Sequence, residues 1–323
     1  MGKQSLRNLA LLLAVALAAM PASGATKKKK STKRKSKPAS SARAVPRARA
    51  VPRAEAKPAV PELRPGELSL IADGAIVLHG YTGKVMYEKS ADVPFFPAST
   101  TKIMTALLVI ESGNLDQEIE VTEEDSKVGE SSLSIKPGDR FTRRQALYGL
   151  MLKSGNDIAH MLGRDNAGSV PAFAEKMTRR AQELGAMNTK FQNPHGLHHP
   201  QHYTTARDLA LITRAAMQQP LFRQIVSTIT YPWYSPSTGQ RELWNHNRLL
   251  RNFPGCTGVK TGYTNPAQHT LASAALWGTD EMICTVMHSS KQGKWDDSKL
   301  LITYGFTHLA DGTEPAATTA AAQ

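Results

Sequence analysis

Two different spacings of apolar residues alternate along the chain, and together they predict a mixed fold of strands and helices. Two short runs with strand-like alternation flank the turn Gly80–Lys84, a pattern typical of a β-hairpin. Late in the chain, three further strand-like runs follow one another with only short breaks. The predicted strands are Ala75–His79, Val85–Glu88, Gly258–Thr264, Thr270–Trp277 and Met282–Met287.

Between the two groups of strands, apolar residues recur at helical spacing. Beyond Lys102 the first of these segments is apolar nearly all round, which predicts a buried helix. Strands at both ends with helices between them favour one antiparallel sheet built from both ends of the domain, with a helical lobe inserted. The predicted helices are Ser99–Ser112, Arg143–Lys153, Asp157–Asn166, Pro171–Leu184, Ala206–Gln218 and Asp296–Leu309.

The first 25 residues have the pattern of an export signal. Lys3 and Arg7 precede the apolar run Leu9–Ala19, and small residues up to Ala25 suit a signal-peptidase site. The apolar run is shorter than a membrane-spanning helix prefers, although an uncleaved anchor is also compatible with it. We therefore predict residues 1–25 as a signal peptide and the protein as exported.

Net charge is distributed very unevenly along the chain. The formal charge is +13, but residues 26–58 alone hold thirteen basic residues and one acidic residue, so the rest is close to neutral. We predict residues 26–60 as a basic disordered tether and residues 311–323 as a disordered tail. Because the protein is predicted to be exported, nucleic acid is not an expected partner. Anionic envelope polymers are the polyanions that residues 26–58 would meet in an exported protein.

The chain has two cysteines, Cys256 and Cys284, which excludes a disulfide-rich scaffold and a four-thiolate zinc site. Both lie in segments predicted as strands of one sheet. Because strands that are not neighbours hold their Cα atoms too far apart for a disulfide, we expect two free, buried thiols.

A Ser-x-x-Lys motif opens the first predicted helix at Ser99 and Lys102. Residues three apart lie on one helical face, so a lysine amine can reach the hydroxyl. A lysine accepts a proton only when it is neutral, and burial, a helix N-terminus and a nearby cation each lower its pKa. Such a motif also arises by chance in a chain of this length, so alone it decides little.

A second motif, Ser154-Gly155-Asn156, separates two predicted helices. Its hydroxyl and amide side chains suit proton transfer and peptide binding, but helix capping explains the same residues. The similar triplet Ser112–Asn114 lies at the far end of the helix that carries Lys102, roughly 15 Å away at 1.5 Å per residue. We interpret that triplet as a helix C-terminus with a left-handed glycine.

A third motif, Lys260-Thr261-Gly262, lies in a predicted strand with two glycines. Glycine weakens a strand unless another backbone must approach closely, as when a peptide adds to a sheet edge. Lys260 would supply a positive charge there. An edge strand protected by lysine is the alternative interpretation.

Taken in order, these motifs are the signature of active-site serine penicillin-recognising enzymes. Over roughly residues 65–308 the chain resembles the low-molecular-mass penicillin-binding proteins, the serine D-alanyl-D-alanine carboxypeptidases and endopeptidases of peptidase family S11. The resemblance implies an α/β fold of the α+β type, β-lactamase/transpeptidase-like, over residues 61–310: a five-stranded antiparallel sheet flanked by helices, with an all-helical lobe. Further matching segments are Phe191–Leu197, Thr205–Leu209 and Gly258–Thr264.

The resemblance also implies catalytic roles. Ser99 would be the acylated nucleophile, and Lys102 the general base that takes its proton. Ser154 and Asn156 would relay a proton to the leaving group and hold the peptide.

Substrate binding is implied for Lys260, Thr261, Gly262 and Tyr263. Lys260 would help bind the terminal carboxylate, and the backbone N–H groups of Ser99 and Tyr263 would form an oxyanion hole. Strict alternation along a strand puts Thr261 on the face opposite Lys260, so its role as a hydroxyl donor rests on the resemblance alone.

The implied function is D-Ala-D-Ala carboxypeptidase activity on peptidoglycan stem peptides, with β-lactams as acylating inhibitors, in the periplasm or at the outer face of the bacterial cytoplasmic membrane. A DD-endopeptidase that cuts D-Ala to diamino-acid crosslinks is the alternative that the residues leave open. A β-lactamase is disfavoured because no Glu-x-x-Leu-Asn follows Ser154. A non-catalytic envelope-binding module is disfavoured because it has no chemical need for Ser99 or Lys102.

Four histidines close together in the sequence invite a zinc-peptidase interpretation. No glutamate stands between histidines at helical spacing, so we expect neither a catalytic metal nor another cofactor, although incidental metal affinity stays open. These histidines are His195, His198, His199 and His202.

Overall fold

The computed structural model describes the backbone of residues 49–50 and the chain from residue 68 to residue 310. The predicted signal peptide, most of the predicted tether and the predicted tail lie outside these residues. Within the tether, Arg49–Ala50 forms strand β1, and its backbone pairs with Thr230 and Thr228. None of the helices in the described part of the chain is long and apolar enough to cross a bilayer.

All five predicted strands are present, and they form one antiparallel sheet. They are β2 (Gly74–His79), β3 (Val85–Lys89), β8 (Cys256–Thr264), β9 (Gln268–Trp277) and β10 (Asp280–Ser289). Their order across the sheet is β3-β2-β10-β9-β8. Both ends of the domain therefore build the sheet, as predicted, and β8 with its Lys-Thr-Gly motif forms an edge.

The predicted helices are also present, with two local differences. Ser99 lies in a 3₁₀ turn, Ala98–Thr101, that precedes the first α-helix, and the predicted helix Arg143–Lys153 ends in a π-helical turn, Gly149–Lys153. The helices are α1 (Lys102–Glu111), α2 (Glu123–Ser126), α3 (Arg143–Tyr148), α4 (Asn156–Ala167), α5 (Val170–Glu183), α6 (Ala206–Met217), α7 (Pro220–Val226), α8 (Leu249–Asn252) and α9 (Gly293–Ala310).

Besides β1, four strands of the described part of the chain were not predicted from the sequence. Two are only three residues long, and another contains Pro232, which argues against a strand because proline lacks the N–H donor. They are β4 (Glu118–Glu120), β5 (Arg140–Thr142), β6 (Thr228–Ser235) and β7 (Gly239–Trp244). Strand β6 lies between β1 and β7 in a small separate sheet.

The hydrophobic core lies on both faces of the large sheet. Ile76 and Leu78 of β2 pack with the helical lobe, whereas the alternate residues Ala75 and Val77 pack with α9 on the opposite face. This period of two is the strand alternation read in the sequence. Helix α1 is buried from Lys102 to Val109, as its apolar composition predicts.

The two cysteines are free and buried, as predicted. Cys256 lies on β8 and Cys284 on β10, and β9 separates these two strands. Burial raises the pKa of both thiols to about 12, so both stay protonated at neutral pH.

Candidate active site

The Ser-x-x-Lys motif brings its two side chains together at the start of α1. Lys102 Nζ lies 3.0 Å from Ser99 Oγ. Lys102 is completely buried, whereas Ser99 is partly exposed. A substrate can therefore reach the hydroxyl, while the amine behind it is shielded from water.

Two further contacts orient the Lys102 amine. Nζ donates to Asn156 Oδ1 at 2.7 Å and to the carbonyl oxygen of His195 at 2.6 Å. A neutral amine has two hydrogens and one lone pair, whereas an ammonium has three hydrogens. With both hydrogens given to these two acceptors, the lone pair is directed to the Ser99 hydroxyl.

The electrostatic surroundings favour the neutral form of Lys102. Burial lowers its pKa well below the ordinary lysine value, and the positive charge of Lys260 lowers it further. Asp157 and Glu130 act in the opposite direction but more weakly. Lys102 is thus better suited to accept a proton from Ser99 than an ordinary lysine is.

The loop of residues 129–133 holds Asn156 in place. The next residue of the same helix, Asp157, anchors that loop in turn. The side chain of Asn156 donates to the carbonyl of Gly129 at 3.0 Å, and its backbone N–H donates to Ser131 O at 2.6 Å. The buried carboxylate of Asp157 accepts from Leu133 N and so fixes this loop. The Asn156 side chain thus bonds to the Lys102 amine rather than capping α4, which answers the capping alternative for this residue.

Ser154 ends the π-helical turn with a left-handed backbone, φ 66°. It is 5% exposed. Within residues 68–310, no hydrogen bond joins its hydroxyl to Ser99 or Lys102, so the structure places Ser154 near the site without showing it in contact with the pair. Ser112, in the similar triplet, lies at the end of α1 beside the left-handed Gly113, as predicted.

The Lys-Thr-Gly motif lies on the edge strand β8. Lys260 is 1% exposed, so it is not a solvent-facing lysine that protects an edge. Its amine donates to the carbonyl of Thr261 at 2.9 Å. Burial, together with the positive charge of Lys294, lowers the Lys260 pKa to about 7.

Gly262 allows β8 to approach the turn that carries Ser99. A β-carbon at this position would lie 2.3 Å from Thr270 Oγ1 and 3.0 Å from the backbone nitrogen of Ser99. The glycine predicted that another backbone approaches this strand closely. In the structure that backbone is the turn of the same chain that carries Ser99. Tyr263 follows and is 50% exposed.

The sequence did not reveal the part played by the segment around His195 and Gly196. Gly196 has φ +89°, and a β-carbon there would lie 1.8 Å from the carbonyl oxygen of Ala98. The segment thus supports the serine turn and supplies the carbonyl that binds Lys102. The sequence Asn-Pro-His-Gly predicts a tight turn, but it does not indicate which element that turn contacts.

Two of the clustered histidines are buried and neutral. Burial lowers the pKa of His195 to about 2 and that of His202 to about 3, with nearby positive charges adding to the effect. Nε2 of His202 contacts Thr101 Oγ1 at 2.9 Å. Among residues 68–310 no group of three or more His, Cys, Asp or Glu side chains is arranged to hold a metal ion.

Fold and site together define a serine acyl-transfer hydrolase of the β-lactamase/transpeptidase type. The combination is a buried lysine behind an accessible serine, at the start of a core helix that packs beside an edge strand.

The chain belongs to the D-alanyl-D-alanine carboxypeptidase family, peptidase S11, whose family model matches residues 61–291. DacF of Bacillus subtilis, a D-alanyl-D-alanine carboxypeptidase, is 34% identical over 70% of this chain and 60% of its own length. The D-alanyl-D-alanine carboxypeptidase of Streptomyces sp. K15 is 35% identical over 77% of this chain and 91% of its own. This chain therefore spans 60% of the Bacillus protein and most of the Streptomyces protein.

A solved structure shows the same fold. The crystal structure of the Streptomyces K15 DD-transpeptidase matches with a TM-score of 0.71 at 34% sequence identity. The match covers 74% of this chain and 98% of that one. The described fold is therefore that of a penicillin-binding protein, as the motifs predict.

Proposed function

We propose that this protein is a penicillin-sensitive serine D-alanyl-D-alanine carboxypeptidase that removes the terminal D-Ala from peptidoglycan stem peptides. The observation that carries the proposal is the buried Lys102 amine, 3.0 Å from Ser99 Oγ and oriented by two other acceptors. Family membership supports the choice of D-alanyl peptides over other substrates.

Acylation begins with proton transfer from Ser99 to the neutral Lys102 amine. Ser99 Oγ then attacks the carbonyl carbon of the penultimate D-Ala. Backbone N–H groups of Ser99 and Tyr263 stabilise the negative oxygen, an effect of about 3 kcal/mol per donor in comparable hydrolases. Support for this pair comes from Gly262, whose missing side chain lets β8 lie against the backbone of Ser99.

The C–N bond breaks when the leaving amine receives the proton, passed from Lys102 through Ser154. Lys260 and Thr261 bind the carboxylate of the departing D-Ala, and Asn156 holds the peptide. Water, deprotonated by the same base, then attacks the ester on Ser99 and releases the shortened stem peptide.

A synthetic stem pentapeptide ending in D-Ala-D-Ala tests the proposed reaction. We expect mass spectrometry to show loss of one D-Ala and no further shortening, and prior incubation with penicillin to block this loss. A matched peptide ending in D-Ala-L-Ala is the control and should remain intact. Release of D-Ala that continues after complete acylation by penicillin would refute the proposal.

The export signal and the tether give a proposed location, the periplasm or the outer face of the cytoplasmic membrane. The near-neutral peptidase would be held close to the wall by attraction between residues 26–58 and anionic envelope polymers. The basis is the concentration of positive charge in that segment, since the described domain adds almost none.

Deleting residues 26–58 tests the proposed attraction. Because screening lengths fall from about 8 Å at 0.15 M salt to about 3 Å at 1 M, we expect 1 M salt to release the full chain from purified cell walls. The deleted variant should bind weakly at both salt concentrations. Retention that is equal in both proteins and insensitive to salt would show that the tether charge is irrelevant.

A further inference from the structure

A cavity of about 400 Å³ adjoins the turn that carries Ser99. Phe96, which lines the cavity, precedes Ser99 by three residues, so the Cα atoms of the two residues are at most about 11 Å apart. Pro266, in the turn between β8 and β9, closes the cavity on another side. The cavity is therefore within reach of a substrate that is bound at the serine.

The wall of this cavity is mostly apolar, with one charged end. Phe95, Phe96 and Tyr203 line it together with three prolines, and Asp73 and His288 form the charged end. Among the described residues that line it, Asp73 is the one acidic residue, and none is a lysine or an arginine. Such a wall suits an alkyl chain that ends in a positive charge.

The charged end is held in place by His288. Its Nδ1 atom lies 2.5 Å from Asp73 Oδ2, and its ring stacks on Phe95 with the ring centroids 6.1 Å apart. The backbone of His288 is left-handed, φ 52°, at a point where the pairing of β10 with β9 is irregular. A residue with a β-carbon adopts this conformation only where the surrounding structure imposes it, as is common at binding sites.

The Asp73 carboxylate is accessible to a ligand. Its side chain is 60% exposed, although it is paired with His288. A carboxylate has two oxygens with about four acceptor positions, so the contact with one histidine nitrogen leaves room for a further donor. An ammonium group that enters the cavity can therefore form a charge-assisted hydrogen bond with Asp73.

The order of the motif residues along β8 sets the direction in which a bound peptide runs. In the proposed reaction, Lys260 and Thr261 bind the C-terminal carboxylate, and the N–H of Tyr263 binds the oxygen of the carbonyl that Ser99 attacks. The peptide is then antiparallel to β8, and its N-terminal part continues past Tyr263 toward Pro266. The cavity therefore lies on the acyl side of the site, in the direction of the residue that precedes D-Ala-D-Ala.

We propose that this cavity binds the side chain of the residue that precedes D-Ala-D-Ala, and that it selects a diamino acid whose terminal amine is free. The alkyl part of that side chain packs against Phe95, Phe96 and Tyr203, and its ammonium group binds Asp73. Acylation of the amine removes the positive charge and weakens this binding. The inference rests on the proposed serine peptidase activity and adds to it a specificity for the acyl part of the substrate.

Three peptides that differ only in the residue before D-Ala-D-Ala test the inference. That residue is L-Lys, Nε-acetyl-L-Lys or L-Ala, so the series separates the charge from the alkyl chain. We expect kcat/KM for the L-Lys peptide to exceed that for the acetylated peptide by roughly tenfold, the size of a typical charge-assisted contact. The L-Ala peptide, which has no long side chain to bury, should be cleaved more slowly than either.

Two substitutions of Asp73 test the charged end. Asp73→Asn keeps the size of the side chain and removes its charge, so the ratio of kcat/KM between the L-Lys and acetylated peptides should fall to near unity. Asp73→Lys should lower this ratio below one, because two positive charges then repel each other. Both peptides are measured with the same preparation of a variant, so any loss of folded enzyme cancels in the ratio.

Asp116→Asn is the matched control. Asp116 is an aspartate with an 83% exposed side chain that pairs with Arg144, as Asp73 pairs with His288. This variant should keep the wild-type ratio.

Phe96→Ala tests the apolar wall. It should reduce kcat/KM for both lysine peptides relative to the L-Ala peptide by several-fold, because part of the surface that buries the alkyl chain is lost. The ratio between the two lysine peptides should change less, since Asp73 is retained. An unchanged ratio of the acetylated peptide to the L-Ala peptide would show that the side chain does not enter the cavity.

Equal kcat/KM for the L-Lys and acetylated peptides in the wild type, or a preference that survives in Asp73→Asn, would overturn the inference. Cleavage of the L-Ala peptide as fast as the L-Lys peptide would overturn it as well. D-Ala is still released in these cases, so the proposed function would stand. A wild type that releases D-Ala from none of the three peptides would instead refute the proposed function itself.

Discussion

Replacing Ser99 by alanine is expected to abolish covalent labelling by a fluorescent penicillin, with acylation reduced by at least about 10⁴-fold. The variant lacks the proposed nucleophilic oxygen, while the rest of the site is unchanged. Within residues 68–310 the Ser99 hydroxyl has one side-chain hydrogen bond, with Lys102 Nζ at 3.0 Å, so its loss should leave the fold intact.

Ser112→Ala is a matched control for this experiment. Ser112 belongs to the similar triplet at the far end of α1, where its hydroxyl donates to Leu108 O at 2.8 Å. Gel fluorescence should show full labelling of this variant and none of Ser99→Ala. Labelling that survives in Ser99→Ala would mean that another nucleophile reacts and that the mechanism is wrong.

Replacing Lys102 is expected to slow acylation by about 10²–10⁴-fold, the usual contribution of a general base. In Lys102→Arg the positive charge is permanent, because arginine does not lose its proton in the accessible pH range. In Lys102→Met the side chain keeps a similar volume but has no base. The second-order rate constant of penicillin acylation should fall in both variants, although only Lys102→Arg carries a permanent positive charge.

The wild type should show a matching pH dependence. Its acylation rate should fall as decreasing pH protonates Lys102, and this fall should occur well below the ordinary lysine pKa, because burial and the charge of Lys260 lower the pKa of this amine. The acid limb should be absent from the residual rate of Lys102→Met.

Lys127→Arg controls for a general effect of the exchange, since Lys127 is 69% exposed in a surface pair with Glu123. Thermal unfolding must accompany the kinetics, because Lys102→Met leaves Asn156 Oδ1 and His195 O without their donor, a cost of about 1–3 kcal/mol each. Wild-type acylation by either Lys102 variant, with the fold intact, would exclude the lysine as the base.

Much of the fold was predictable from local pattern. The five strands of the large sheet and the long helices were expected from their periodicity, because a strand or helix half-buried in a core shows its period directly. The hairpin of β6 and β7 was not predicted, since Pro232 lies within β6 and disguises the strand. The π-helical turn Gly149–Lys153 was also missed, because it has the composition of an ordinary helix.

The sequence by itself predicted the serine and lysine pair, because a spacing of three residues along a helical turn places Ser99 and Lys102 on one face. It also located the segments that carry Asn156 and Lys260, through motifs whose order resembles a known family.

Only the tertiary structure decided how these segments meet. The carbonyl of His195 binds Lys102 from 93 residues away, and Asn156 does so from 54 residues away. A cavity beside β8 likewise brings together Lys153, Arg251 of α8, Thr261 of β8 and Lys294 of α9, which are far apart in the chain. The spacing of residues in the sequence shows which side chains are neighbours on one helix or strand. The pKa of a buried lysine and the lining of a cavity depend instead on elements that meet only when the sheet forms and the helices pack against it.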